Sequence, residues 1–227
     1  MARILSFTAG TDDWKTLLAD PVKHWRTGFS ARTLAHSWEA ADGFPPEVAS
    51  ALANSSDPLL KDLTPLLAVP EFKVPLPGGS RASQNDIFVL AKSHAGPVVI
   101  MVEGKVNESF GPTLNEWHAD PSPGKTERIT FLLEKLGLRM KPEGATRYQL
   151  IHRAASAVIT GEQFRAKAAV LLVHSFSEKR TGWVDYQSFL RQLGIEAKIG
   201  TVQRIPTESQ LPLFAVWVEG NCSFLQS

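Results

Sequence analysis

Residues 86–92 and 97–105 are two apolar, β-branched runs separated only by Ser93, His94, Ala95 and Gly96. Runs of this kind joined by a short break containing glycine predict a β-hairpin. With the turn centred between His94 and Ala95, Lys92 pairs with Pro97 and Asp86 falls opposite Glu103. Side chains alternate along a strand, so Glu103 and Lys105 share a face. Directly opposed residues hold their Cβ atoms roughly 4.5–5.5 Å apart. Two carboxylates and an ammonium are therefore expected to converge at one end of a hairpin otherwise built from Ile, Phe, Val, Leu and Met. Burying like charges side by side is costly unless a cation sits between them. A divalent metal would remove that cost.

A chain of 227 residues is long enough for a single domain, 1–227, with a substantial core. Its 43% hydrophobic and 21% charged residues are ordinary for a globular protein. The formal net charge of +1 offers no whole-chain argument for nucleic acid. Such a surface would have to come from segregating the 24 basic residues. Cys222 is the single cysteine, which excludes an intrachain disulfide framework and fits a reducing, cytoplasmic setting. The first residues lack a long apolar leader, and no apolar run approaches a membrane span, so no membrane partner is expected.

Residues 1–70 read as mainly helical and 71–227 as an α/β core. Ser30 is expected to cap a helix over 31–41, and a second helix begins at Pro45-Pro46-Glu47. The leucine-rich stretch 59–67 is interrupted by Pro65. Residues 70–79 look extended or looped, with a short edge strand at 72–74. Beyond the hairpin, helical periodicity marks 126–138 and 147–167, and 186–193 is a short helix. Residues 169–176 form a nearly continuous apolar run, as in a central buried strand, and 213–218 is a final strand. The order describes a mixed α/β sandwich around a small sheet.

Asp86, Glu103 and Lys105 have two readings. One is an ordinary cross-strand salt-bridge cluster on a surface hairpin. The other is a functional site, favoured because the strand leading to Glu103 is too apolar for an exposed hairpin. On the helix from Arg147, the residues Gln149, His152, Arg153 and Ser156 lie along one polar stripe. Tyr148, Ile151, Ala155 and Val158 form a packed face opposite it. The stripe reads equally as a solvated face. Gly124-Lys125-Thr126 resembles the end of a phosphate loop. Ala119, Pro121 and Pro123 break that pattern, leaving a plain helix start. The six histidines show no zinc-protease spacing, and no Gly-x-Ser-x-Gly elbow exists. His174 lies in a buried strand and is expected to be a satisfied core histidine. Trp25, Trp38, Trp117 and Trp183 are expected in the core or at its rim.

Asp86, the hairpin, the Glu103-x-Lys105 pattern and the helix and strand that follow resemble the PD-(D/E)XK superfamily. The resemblance covers roughly residues 80–176 and implies a restriction-endonuclease-like fold. Such a fold has an α-β-β-β-α-β core, with the acid and Glu-x-Lys on adjacent strands. It also implies metal ligation by Asp86, Glu103 and the Gly104 carbonyl, Lys105 as the motif lysine, and Gln149 as a further catalytic residue. Mg²⁺ or Mn²⁺ would be the cofactor and nucleic acid the partner, through phosphodiester hydrolysis. Arg147, His152 and Arg153 are candidate substrate contacts, and Arg139 and Lys141 could extend a basic groove. Glu39 or Glu47 could supply the acid that many members carry on their first core helix. Asn85 stands where the motif's name has proline. The chain also resembles an uncharacterised bacterial family of this fold, which adds no activity. A non-catalytic binding protein that keeps the fold and uses the acidic pocket structurally is the alternative. A homodimer is compatible with the sequence.

Overall fold

The structure, a computed structural model, describes residues 8–138 and 142–227. Its strands are β1 (Thr64–Val74), β2 (Ser83–Ser93), β3 (Gly96–Lys105), β4 (Ala168–Ser175), β5 (Gln203–Ile205) and β6 (Leu213–Glu219). They form one mixed sheet in the order β1-β2-β3-β4-β6-β5. β1, β2 and β3 are an antiparallel meander. β4 lies parallel to β3, β6 parallel to β4, and β5 antiparallel to β6. The hairpin has the expected register, from Ser93↔Gly96 and Lys92↔Pro97 to Ile87↔Val102.

Helices cover both faces. Before the sheet come α1 (Thr11–Leu17), α2 (Pro21–His24), α3 (Ser30–Glu39) and α4 (Pro46–Ala53). After the hairpin come α5 (Leu114–Trp117), α6 (Pro123–Leu136), α7 (Tyr148–Gln163) and α8 (Trp183–Gln192). The period of two along β3 divides the core between them. Val98, Ile100 and Val102 pack with Trp14, Leu34, Trp38, Val48 and Leu52 of the N-terminal helices. Val99 and Met101 pack on the other side with Leu132, Ile151, Ala154 and Phe189 from α6, α7 and α8. β3 is thus buried on both faces, which its unbroken apolar run demands.

β1 corrects the expectation of a mainly helical segment to residue 70. The strand begins at Thr64 and includes Pro65 and Pro70, with an irregular register between Pro65 and Leu67. Two prolines fit because β1 is an edge strand, where missing N–H groups leave no partner unsatisfied. Residues 72–74 are the end of this longer strand. β5 was not anticipated. Ser30 is the first residue of α3 rather than its cap, and its N–H donates to Glu108 Oε1 at 2.9 Å.

The phosphate-loop resemblance has a packing explanation. Ser122 caps α6 by accepting from the Lys125 N–H at 3.3 Å, with Pro123 next in the chain. Gly124 is required for close backbone approach: a Cβ on it would come within 2.6 Å of the Gly78 carbonyl oxygen. Among the described residues no helix is long and apolar enough to cross a membrane.

Candidate active site at the open end of the hairpin

The β2–β3 ladder ends at Ile87↔Val102, one pair short of Asp86 and Glu103. Instead of pairing by backbone, Asp86 accepts the Gly104 N–H on Oδ2 at 2.7 Å. Gly104 lies close under Leu34 and Asp86, so an added Cβ would meet Leu34 Cδ2 at 3.1 Å. Glu103 and Lys105 project toward α7, which is nearly buried on all sides. Its polar stripe docks onto the ends of β2 and β3, with Gln149 and His152 half-buried.

Glu103 is the hub. Its Oε1 accepts from Lys105 Nζ at 2.7 Å and from Gln149 Nε2 at 2.6 Å, and its Oε2 accepts from Arg153 Nε at 2.5 Å. Glu103, Lys105 and Arg153 are only 3%, 4% and 7% exposed. Burial alone would raise the Glu103 carboxyl, but Arg153 and Lys105 outweigh it and hold the group down to about 2. Lys105 also donates to Gln149 Oε1 at 3.2 Å and lies 4.6 Å from the Phe110 ring centroid. Gln149 thus clamps the Glu-x-Lys pair from the facing helix.

Asp86 behaves oppositely. Burial first, and then the Glu103 charge, push its carboxyl well above the usual range, against the pull of Arg153. The nearest Arg153 nitrogen is 3.9 Å from Asp86 Oδ1, too far for a hydrogen bond. A third carboxylate, unanticipated from sequence, adds to this row. Glu71 falls opposite Asp86, between Pro70↔Ile87 and Phe72↔Asn85, where the register is unchanged on either side. It adopts φ 51°, rare for a residue with a Cβ. Its Oε2 accepts from Gln84 Nε2 at 2.5 Å. Burial, reinforced by Glu103, raises its carboxyl to about 7 despite the Gln84 bond and Arg153. Three adjacent strands thus each contribute one carboxyl group to this place, faced by Arg153 and Lys105.

The remaining α7 residues complete the surroundings. His152 Nδ1 meets Ser83 Oγ at 2.8 Å, and Arg153 donates to the same hydroxyl at 3.2 Å. Burial, then Arg153, hold the imidazole well below its usual range, so it is neutral. Lys105, Gln149, His152, Tyr148, Phe110 and Gln84 line a depression of about 390 Å³. Of the substrate contacts expected from sequence, His152 and Arg153 reach this depression. Arg147 does not line it: it pairs with Asp185 at 3.0 Å and donates to the Gly111 carbonyl at 2.7 Å. Arg139 and Lys141 lie outside the described residues.

Neither helical acid belongs to the site. Glu39 accepts from Trp14 Nε1 at 2.6 Å. Glu47 meets His174 Nε2 at 2.9 Å on the opposite face of the sheet. His174 also accepts from Trp38 Nε1 at 3.2 Å, so it is a buried and satisfied histidine. Trp117 stacks on Tyr148 with ring centroids 4.0 Å apart.

Among the described residues no group of three or more His, Cys, Asp or Glu side chains is arranged to hold a metal ion. Asp86 and Glu103 are nonetheless hard oxygen donors of the kind Mg²⁺ takes in ones and twos. With Glu71 they are three carboxyl groups facing two cations, and burial foremost holds Asp86 and Glu71 toward their protonated forms. Comparison with known proteins finds no matching curated protein and no matching solved structure. A family model described as "Domain of unknown function (DUF6946)" matches residues 7–222, and the chain belongs to that family.

Proposed function

We propose that the chain is a metal-dependent phosphodiesterase acting on nucleic acid, with a restriction-endonuclease-like core. The observation that carries this reading is the convergence of Asp86, Glu103, Lys105 and Gln149 at the open end of one hairpin, beside a depression in the surface. The order α3, β1, β2, β3, α7, β4 supports it, with Asp86 and Glu103-x-Lys105 on neighbouring strands.

Asp86 and Glu103 would hold Mg²⁺ or Mn²⁺. When bound, the ion polarises the scissile phosphate and acidifies an attacking water. The chain's own groups do the rest. Lys105, fixed between Glu103, Gln149 and the Phe110 ring, presents an ammonium to charge developing at phosphorus. Gln149 keeps the Lys105–Glu103 pair in register with α7. Neutral His152 at the wall is available to exchange hydrogen bonds with the substrate.

One observation favours the second reading, a non-catalytic protein with a structural acidic pocket: Lys105, Gln149 and Arg153 already engage both carboxylate oxygens of Glu103. Cleavage of fluorescent DNA and RNA strands in Mg²⁺ separates the two. The nuclease reading expects cleavage by wild type and its loss, on the order of a hundredfold or more, in Asp86→Asn and Lys105→Ala with circular dichroism unchanged. A wild-type chain that binds no Mg²⁺ or Mn²⁺ at millimolar concentration and cleaves nothing leaves the second reading standing.

A further inference from the structure

Beside the Glu103 pair, Ser83 at the start of β2 and three residues of α7 form a closed hydrogen-bond circuit. The Ser83 hydroxyl meets His152 Nδ1 at 2.8 Å, a terminal nitrogen of Arg153 at 3.2 Å and Ser156 Oγ at 2.9 Å. Ser156 Oγ also lies 2.7 Å from the His152 carbonyl oxygen. Four contacts need four hydrogens. Arg153 supplies one, and each hydroxyl carries one. The Ser156 hydrogen goes to the carbonyl, which has none to give, and the Ser83 hydrogen then goes to Ser156. The fourth hydrogen sits on His152 Nδ1, which donates to Ser83. This assignment gives the Ser83 oxygen two accepted bonds and one donated bond, its full capacity.

The tautomer follows from this count. A neutral imidazole protonated on Nδ1 keeps its lone pair on Nε2. Burial, then the Arg153 charge, hold the ring neutral. The ring is half-buried and borders the depression, so its remaining nitrogen is an acceptor there. Gln84, on the same wall, is fixed in the same sense: its Nε2 donates to Glu71 Oε2, which leaves Oε1 to accept.

Phosphodiester oxygens only accept, and gain nothing from these two atoms. A hydroxyl suits them. Within a nucleic-acid strand the hydroxyl beside each phosphate is the ribose 2′-OH, which DNA lacks. Base amino groups also donate, but they lie farther along the nucleotide from the phosphate that Lys105 would face. We propose that the depression is a ribose subsite in which His152 Nε2 accepts from a 2′-hydroxyl, so that the chain selects RNA over DNA. This inference rests on the reading of the site as one for nucleic acid, and it names the sugar. Ser83 and Ser156 position His152 by fixing its tautomer.

The test is fluorescence anisotropy of the full chain with three short labelled strands of one uracil-containing sequence: RNA, DNA and 2′-O-methyl RNA. Affinities are read in EDTA, and cleavage rates after Mg²⁺ is added. The latter two strands lack the hydrogen that Nε2 would accept. Wild type should bind RNA about tenfold more tightly than either, the effect of one hydrogen bond, and cleavage rates should follow the same order. His152→Asn keeps an N–H for Ser83 but has no atom in place of Nε2, so it should treat the three strands alike. A wild type that handles DNA as well as RNA overturns the proposal, and so does an RNA preference undiminished in His152→Asn. If the variant does not fold by circular dichroism, the three strands compared on wild type decide alone. DNA bound and cut as well as RNA removes only the ribose subsite. A chain that binds and cuts none of the strands removes the nucleic-acid reading with it.

Discussion

A single carboxylate, Glu103, is the hydrogen-bonded partner of two buried cations, while Asp86 next to it is held toward its protonated form. Their substitutions should therefore diverge. Glu103→Gln leaves Lys105 and Arg153 buried without their counterion, a situation that costs about 3–5 kcal/mol. Asp86→Asn keeps an oxygen for the Gly104 N–H and removes a charge that burial disfavours, so its stability at pH 7 should stay within about 1 kcal/mol of wild type. Urea denaturation of both variants with unchanged slope checks this, and equal losses would contradict the division of charge described above. These residues were legible because their spacing is dictated by regular structure. Period two joins Glu103 to Lys105, and a helical turn joins Gln149 to Arg153. What spacing does not reveal is that the polar stripe of α7 turns inward, because that depends on what lies opposite it.

At the scale of the element, β1 is where physical reading from sequence fell short. Pro65 and Pro70 suppress any strand signal, and only an edge position makes them tolerable. The same strand carries Glu71, whose left-handed backbone leaves no mark in the sequence because the residue is not glycine. Its raised carboxyl has a consequence for stability. Between pH 4.5 and about 7 the folded chain keeps a proton that the unfolded chain has released, so the Glu71 contribution favours folding at low pH and is lost as pH rises through this window. His152 acts in the opposite sense, because its imidazole is held neutral and protonation favours the unfolded chain below pH 6.5. The two effects are separated by a difference measurement. Glu71→Gln should match the pH profile of wild type except for a relative gain in Tm that grows from pH 4.5 to 7.5. Each 1 kcal/mol corresponds to about 2–4 °C in a chain of this size. A constant offset across that range would show that Glu71 carries no excess proton.

For the whole molecule, the hairpin, α6, α7, β4 and β6 followed from hydrophobic periodicity while β1 and β5 did not, and the surface around the site depends on which charges find partners in three dimensions. The sequence expectation was a basic groove leading to Asp86, lined by Arg147, Arg153, Arg139 and Lys141; the last two lie outside the described residues, and the first two are engaged within the chain. Arg147 is committed to Asp185 and Gly111, and Arg153 and Lys105 to Glu103. Of those near α6, Lys125 donates to the Asp120 carbonyl and Arg128 to the carbonyls of Pro77 and Gly79. With a net charge of only +1, the molecule offers no long-range field to compensate. Any nucleic acid at this site should therefore be held through very few phosphates, those that reach the depression beside Gln149 and His152. Counterion release makes that number measurable, since each neutralised phosphate on a single strand contributes about −0.7 to the slope of log affinity against log salt. Anisotropy of a labelled single strand titrated with the chain across a series of KCl concentrations should give a slope no steeper than about −2, corresponding to two or three phosphates. A slope near −5 or beyond would mean that an extended basic surface, built from cations other than those around Glu103, grips the strand.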